Sequence, residues 1–348
     1  MAPLTAIALS GGTDSAVAAL RLKAAGEKLL AVHFITDYSD PGHRDHLDCL
    51  AARLGVELAV IDCREAFQRE VVDYFIDSYR LGRTPNPCVR CNARIKFGAV
   101  LRQALAMGVS RLATGHYVRK ERDAAGRFHL YQGVDRRKDQ SYFLARLTQE
   151  QLERTFFPLG DLTKAQVQRQ AAEAALMVRP ERESQDICFV ARGDYAGFLT
   201  GAGRLTVTPG PIVDVHGRQL GRHRGLHAFT VGQRRGIDCP GPAPYYVVRI
   251  DAVRNTLVVG GASDLMAAGC RVSSVRWLQP PAAKTLPAAV RLRYRSPAQP
   301  ARVYLEDTAR ATVHFDAPLA AVTPGQCAVF YRGDEVLGAG WIEASLSV

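Results

Sequence analysis

Three cysteines and one glycine turn are the residues of this 348-residue chain whose types and spacing could do chemistry. Cys88 and Cys91 form a C-x-x-C pair within Arg83-Thr84-Pro85-Asn86-Pro87-Cys88-Val89-Arg90-Cys91-Asn92, and Cys188 stands far downstream in Glu183-Ser184-Gln185-Asp186-Ile187-Cys188-Phe189-Val190. The two prolines hold the first stretch extended as it runs into a helical pattern. A thiol at that helix start, beside Arg90, Arg94 and Lys96, is expected to ionise readily, because positive charge stabilises a thiolate. Cys49, Cys63, Cys239, Cys270 and Cys327 are scattered and read as small buried hydrophobes. Eight cysteines in a chain of this length are too few for a disulfide scaffold.

The glycine turn is Leu9-Ser10-Gly11-Gly12-Thr13-Asp14-Ser15, placed after an apolar run and before a helical pattern. Two glycines let the backbone approach an anion closely, and the helix start adds unpaired N–H groups and the positive end of a dipole. Ser10 and Ser15 bring hydroxyl donors. Asp14 is the odd member, since a carboxylate in an anion site needs a cation, and magnesium bridging phosphates is the simplest one. No Lys follows the glycines, so the turn is not of the Walker type. The plain alternative is a strand–turn–helix with Ser or Asp as a cap.

These groups need a scaffold. Leu4–Leu9, Leu29–Phe34, Val56–Ile61 and Arg111–Thr114 read as strands, alternating with helices over Asp14–Ala25, Arg44–Leu54, Glu65–Tyr79 and Asn92–Met107. That alternation predicts an α/β, doubly wound parallel sheet with its ligand loops along one edge. Val118–Gly133 reads as a hairpin through Ala124–Gly126, followed by amphipathic helical segments at Gln140–Thr155 and Thr163–Leu176. Past Gly201–Gly203 the pattern changes to short β-branched runs punctuated by glycine, with a second break around Gly260–Gly269. The expected domains are 1–200, a small β domain at 203–262 and a β-barrel at 268–348. Tyr245, Tyr246, Trp277 and Trp341 are expected to pack β cores. His33 and His227 are not nominated as ligands.

Composition narrows the partners. A 47% hydrophobic, 23% charged chain is neither disordered nor fibrous. No apolar run approaches the ~18 residues of a membrane span, and the short apolar start, with no basic segment before it, reads as a strand. The expected location is cytoplasmic, with no membrane partner. The formal net charge is +11, and residues 201–348 carry 17 Lys/Arg against 10 Asp/Glu, with Arg218, Arg222, Arg224, Arg234 and Arg235 close together. That excess suits a polyanion such as nucleic acid.

The glycine turn resembles the PP-loop, S-G-G-x-D-S, of ATP pyrophosphatases. With Thr84-Pro85-Asn86-Pro87, Cys91-Asn92, Ala113-Thr114-Gly115-His116-Tyr117, Lys138-Asp139-Gln140-Ser141-Tyr142 and Ser184-Gln185-Asp186-Ile187-Cys188-Phe189 in this order, the chain resembles the tRNA-specific 2-thiouridylase family. The likeness continues through Gly232-Gln233-Arg234-Arg235-Gly236, Arg293-Tyr294-Arg295 and Thr323-Pro324-Gly325-Gln326, so it spans nearly the whole chain. It implies 2-thiolation of the wobble uridine of tRNA, with ATP adenylating the uridine oxygen and AMP and pyrophosphate released. By motif position, Ala8, Leu9, Ser10, Gly11, Gly12, Thr13, Asp14, Ser15, Phe34 and Gly115 would line the ATP site. Asn86, Pro87 and Cys88 would face the target base, and His116, Lys138, Asp139, Gln140, Arg293, Tyr294 and Gln326 would contact tRNA. Cys188 would take a persulfide from a sulfur-relay protein, and the alternative sulfur source is sulfide. Cys91 would release that sulfur and form a Cys91–Cys188 disulfide, which makes Cys91, Cys188 and Asp14 the catalytic set.

The sequence departs from the family pattern mildly at Thr13, Ala16 and Phe34, and more consequentially at Cys88, where many members carry Asp. Cys88, Cys91 and Cys188 together would also suit a four-iron four-sulfur cluster binding exogenous sulfide, or zinc with His116 as a fourth ligand. Two rival functions remain at this stage. One is a PP-loop ligase or amidotransferase acting on a small carboxylate or carbonyl. The other is a non-enzymatic iron–sulfur or RNA-binding module.

Overall fold

Short apolar segments bounded by glycine and polar turns become the strands of a parallel sheet at the head of the chain. The computed structural model describes residues 3–40, 42–176, 187–191, 194–201, 204–241 and 243–348. It divides into two compact units, one of Met1–Val71, Cys88–Cys188 and Gly333–Leu337, the other of Val72–Pro87, Phe189–Arg332 and Gly338–Val348.

In the first unit, β1 (Leu4–Ala8), β2 (Lys28–Ile35), β3 (Glu57–Asp62) and β4 (Arg111–Ala113) all run parallel. The antiparallel hairpin β5 (Val118–Arg122) and β6 (Phe128–Gln132) follows, and β7 (Thr155–Phe156) then adds a fifth parallel strand beside β4. The sheet order is β3-β2-β1-β4-β7. β1 therefore sits where the winding reverses, and the crevice beyond the ends of β1 and β4 is where such sheets hold ligands.

Helix α1 (Thr13–Ala24) starts directly after the glycine turn, with Asp14 in its first turn and Arg21 and Lys23 in its last, as the helix dipole favours. Helix α2 (His43–Leu54) buries Leu47, Leu50, Ala51 and Leu54 on one face and stops at Gly55, whose φ of 61° few other residues adopt. Ile7, Leu9, Val17, Leu22, Leu47, Leu50, Tyr117 and Val167 share one core. It fixes the turn between strand and helix from both sides.

Three segments differ from the sequence expectation. The helix around the cysteines begins at Pro87, not Asn92: Pro87–Cys91 is α-helical and Asn92–Val100 continues as a π-helix. Residues 64–80 are helical with the same widening over Gln68–Asp73. Gln140–Thr155 is not one helix. It breaks into Ser141–Leu144 and Gln149–Glu153, because Thr148 and Gln151 form a capping box that starts a new helix, and Thr155 then enters β7.

In the second unit, β8 (Gly210–Asp214), β9 (Gln219–His223), β10 (Tyr246–Asp251) and β11 (Thr256–Gly260) form a sheet in the order β10-β11-β8-β9. Ile212, Phe229, Ile237, Val247, Leu257 and Val259 make its core, with Tyr245 packed against it. The last strands are β12 (Met266–Trp277), β13 (Thr285–Arg291), β14 (Gln299–Leu305), β15 (Ala311–Ala320), β16 (Cys327–Arg332) and β17 (Glu335–Ser347). Their order is β12-β15-β14-β13-β16-β17, and pairing of β12 with β17 closes six strands into an antiparallel barrel without free edges. Trp277 stacks on Phe330 at 5.2 Å between ring centres, and Trp341 lies 5.9 Å from Tyr74. Among the described residues no helix is long and apolar enough to cross a membrane.

Candidate functional site

The glycine turn is locked before any ligand arrives. Gly11 has a φ of +76°, a conformation that favours glycine. The Ser15 hydroxyl donates to the Gly12 carbonyl (3.0 Å) and accepts the Ser10 N–H (3.1 Å). Ser15 thus spends its hydroxyl on the shape of the turn. Ser10 Oγ lies 3.1 Å from Ser15 Oγ. Leu9 is buried, Ala8 ends β1, and Thr13 is buried in the first turn of α1. Gly115, just past β4, is pressed on the same turn: a Cβ there would lie 2.8 Å from the Asp14 carbonyl carbon and 3.0 Å from the Ser15 nitrogen. Phe34, near the end of β2, is half-buried.

Histidines that sequence reasoning passed over hold the outer side of this turn. The three successive carbonyls of Leu9, Ser10 and Gly11 are met by His33 Nδ1 (2.9 Å), His43 Nε2 (2.8 Å) and His46 Nε2 (3.1 Å). A carbonyl only accepts, so each ring nitrogen facing one carries a proton. Burial and the neighbouring His43 and Arg44 hold His33 below the usual imidazole range, against the opposing pull of the Leu9 carbonyl. These bonds hold the carbonyl side of the turn, and α1 starts at Thr13 with no side-chain cap at Gly12. His43 and His46 lie in the first turn of α2, too far along the chain for a local motif to reveal them.

Asp14 does have a cationic partner, and it is Lys164. Asp14 Oδ1 accepts from Lys164 Nζ at 2.7 Å and from the Tyr117 hydroxyl at 2.6 Å. The expectation that a cation faces Asp14 thus meets a residue of the chain itself, one the sequence reading did not nominate.

Cys88, Cys91 and Cys188 are brought within electrostatic range of one another. Ionisation of Cys188 is felt at both Cys88 and Cys91. Cys88 and Cys91 are half-buried and Cys188 is exposed. The expectation of a readily ionised thiol is corrected here. Desolvation by the surrounding protein pushes Cys91 up to about 12 and Cys88 up to about 11, and raises Cys188 as well. Lys96 opposes that rise at all three thiols. The other expected cations are occupied: Arg90 pairs with Glu70 at 3.2 Å, and Arg94 lies 3.9 Å from the same carboxylate. Asn92, buried beside Cys91, donates to the Cys88 carbonyl (3.0 Å), and its own Oδ1 has no hydrogen-bond partner among the described residues.

The thiols and the turn belong to the same unit, and Lys96 acts on the thiols from within it. Its charge is also felt at His116, which directly follows the Gly115 that packs on Asp14. His116 is buried, 2.7 Å from the Thr114 hydroxyl through Nδ1 and packed on Phe97 and Phe157; burial holds it well below the imidazole range. Among the described residues no three His, Cys, Asp or Glu gather as a metal site. Ser184, Gln185 and Asp186 of the Cys188 motif lie outside the described residues.

Several residues expected to contact tRNA are engaged with protein instead. Asp139 is the plainest correction. It is 2% exposed, and its carboxylate accepts from the N–H groups of Gly133 (3.2 Å) and Ser141 (3.1 Å) and from the Ser141 hydroxyl (2.9 Å). It shapes the turn that carries Lys138, which is half-buried. Gln140 pairs both ways with the Tyr117 backbone, at 3.0 and 3.1 Å.

In the second unit, Gln326 Nε2 donates to the carbonyls of Thr84 (3.0 Å) and Pro85 (3.1 Å), and Asn86 Nδ2 lies 3.5 Å from Gln326 Oε1. The Thr84 N–H donates to Pro324 (2.9 Å). Two motifs far apart in sequence thus meet, and the barrel holds the loop that ends at Pro87. Arg293 donates to the carbonyls of Val231 (3.1 Å) and Ala321 (3.0 Å) and to the Thr323 hydroxyl, tying the four-stranded sheet's module to the barrel. Tyr294 beside it is half-buried.

A tRNA methyl transferase HUP domain model matches residues 4–192, a tRNA methyl transferase PRC-barrel domain model residues 198–261, and an aminomethyltransferase beta-barrel domain model residues 267–342. The tRNA-specific 2-thiouridylase of Desulfosudis oleivorans is 46% identical, covering 98% of this chain and 95% of its own length. The chain belongs to the tRNA-specific 2-thiouridylase family. Two other members, from Geobacter metallireducens (46% identity, 98% of this chain, 97% of that one) and Chloroflexus aggregans (45%, 97% of each), match as completely. Family membership accounts for the α/β sheet followed by two β modules and assigns the chain to the transferases.

Proposed function

We propose that this chain catalyses the ATP-dependent 2-thiolation of the wobble uridine of tRNA, with adenylation of the uridine oxygen and sulfur transfer from a protein persulfide. One observation carries the reading: Cys91 and Cys188, far apart in sequence, come within electrostatic range on the unit that also carries the glycine turn. The working domain limits are 1–200, 203–262 and 268–348, in a cytoplasmic setting.

In the first step ATP lodges its phosphates on the N–H groups at the start of α1. Asp14 suits magnesium, which takes one or two carboxylates together with phosphate oxygens. A uridine stacked in an anticodon cannot meet a nucleophile, so the base leaves its stack. Its oxygen attacks the α-phosphorus, pyrophosphate departs, and the oxygen at carbon 2 becomes a good leaving group. Asn86, Pro87 and Cys88 face that base. His116, Lys138, Gln140, Arg293, Tyr294 and Gln326 support tRNA binding, Asp139 by shaping its loop.

In the second step a persulfide-carrying sulfur-relay protein has passed its outer sulfur to the Cys188 thiol, leaving Cys188 as a persulfide and the donor as a thiol. The Cys91 thiolate attacks Cys188 Sγ, a Cys91–Cys188 disulfide forms, and hydrosulfide is released. Hydrosulfide attacks carbon 2 and AMP leaves with the former oxygen. An external thiol then reduces the disulfide. No step of this route runs through an iron–sulfur cluster.

The test is mass spectrometry of tRNA after incubation with ATP, magnesium and a persulfide-donating protein, together with tRNA-dependent pyrophosphate release. Wild type gains the mass of sulfur in place of oxygen. Cys188→Ser loses that gain by on the order of a thousandfold or more while pyrophosphate release persists. Equal thiolation by Cys188→Ser refutes the persulfide route. AMP formation on a small acceptor without RNA refutes tRNA as the substrate, and iron bound after anaerobic reconstitution, lost in Cys88→Ala together with activity, favours the cluster.

A further inference from the structure

Lys164 belongs to no motif in the sequence, yet its position is fixed with unusual care. It is the first residue of the helix Lys164–Glu173, whose cap is a reciprocal box between Thr163 and Gln166. Asp135 Oδ2 accepts the Lys164 N–H at 3.0 Å, so a second loop anchors the same turn. The side chain is 11% exposed and delivers its ammonium 2.7 Å from Asp14 Oδ1, where Tyr117 also donates. Asp14 is the second residue of α1, whose N-cap Gly12 makes no side-chain cap hydrogen bond.

This arrangement has a consequence for nucleotide binding. A carboxylate oxygen that takes two donors offers little to a magnesium ion until one donor leaves. A triphosphate arriving at the turn supplies many anionic oxygens next to that ammonium, and a charge-assisted bond to phosphate replaces the one to carboxylate. The anchoring of its first turn keeps Lys164 at the site after it lets go of Asp14.

We propose that Lys164 is a nucleotide-binding residue whose ammonium exchanges Asp14 for the pyrophosphate part of ATP, leaving Asp14 to magnesium. The inference rests on the reading that the glycine turn binds ATP.

The experiment is equilibrium binding of ATP, AMP and pyrophosphate, with and without magnesium. It uses wild type, Lys164→Met, Lys164→Arg, Asp14→Asn and the Asp14→Asn/Lys164→Met double variant, each with its thermal transition recorded. Lys164→Met is expected to bind ATP and pyrophosphate about ten- to a hundredfold more weakly, the range of one hydrogen bond to a charged group, and AMP within about twofold of wild type. Lys164→Arg recovers part of the loss, and it stands in for Lys164→Met if the latter does not fold. In the double variant the loss of ATP affinity persists. Full recovery in the double variant, or equal weakening of ATP and AMP, shows that Lys164 only neutralises Asp14 and overturns the proposal. Unchanged ATP affinity in Lys164→Met overturns it as well while leaving the ATP reading intact. A wild type that binds ATP no better than AMP sinks that reading, and the proposal with it.

Discussion

The glycine turn and the thiols share one unit but face opposite physical situations. At the turn the carbonyls and side chains are held in place: three histidines meet three carbonyls, Ser15 closes the loop, and Lys164 and Tyr117 hold Asp14. At the thiols, desolvation outweighs the help of Lys96, and all three cysteines favour the protonated form. The turn is organised to bind on arrival, with little rearrangement to oppose binding. The thiols are silent at neutral pH until a proton is removed, which protects them from adventitious oxidation, since the thiolate is the reactive form.

Breaking the turn should produce the larger effect. Gly115→Ala places a methyl 2.8 Å from backbone of Asp14, which cannot swing aside. The expected result is a loss of ATP affinity of at least about tenfold and destabilisation of about 1–3 kcal/mol, read by equilibrium binding and thermal denaturation. Binding and stability equal to wild type would show that the strand β4 crossover does not brace the turn.

The thiols are sharpened by pH. With Cys91 pushed up to about 12, its thiolate fraction rises about tenfold per pH unit across the neutral range. Alkylation of Cys91 should follow that slope with no plateau below about pH 10. Lys96→Met removes the opposing charge and should slow alkylation several-fold at each pH. A plateau near pH 7 would mean the thiol ionises as its position beside basic residues first suggests.

The histidine clamp gives the smallest effect. His43→Leu removes the donor to the Ser10 carbonyl and should weaken ATP binding a few-fold, about 1 kcal/mol for one hydrogen bond. His43→Gln, which keeps an N–H donor, should recover most of it. Equal loss in both variants would point to packing of the ring, not to the hydrogen bond.

Much of this was legible in the residues. The strands around the turn fall within a residue or so of expectation, because Leu4–Ala8 and Lys28–Ile35 are apolar runs bounded by glycine and polar turns. Gly126 marks the hairpin with a φ of +85°. Contacts between distant segments were not legible. His43 reaches Ser10, Lys164 reaches Asp14, and Gln326 reaches Thr84 across separations that no local pattern encodes. The thiols were misjudged because neighbouring Arg and Lys can be read from sequence, whereas desolvation and the capture of Arg90 by Glu70 depend on the fold. Asp139 was misassigned for the same reason: a carboxylate in a polar segment looks available until its donors close around it.

The proposed sulfur transfer requires Cys91 and Cys188 to meet, and a single-turnover trap reads that meeting. The enzyme is loaded with persulfide, mixed with ATP, magnesium and tRNA in the absence of reductant, quenched with an alkylating agent and mapped by non-reducing peptide mass spectrometry. A Cys91–Cys188 disulfide formed in step with thiolated tRNA is the predicted result. Thiolated tRNA with Cys91 and Cys188 both recovered as alkylated thiols would contradict it.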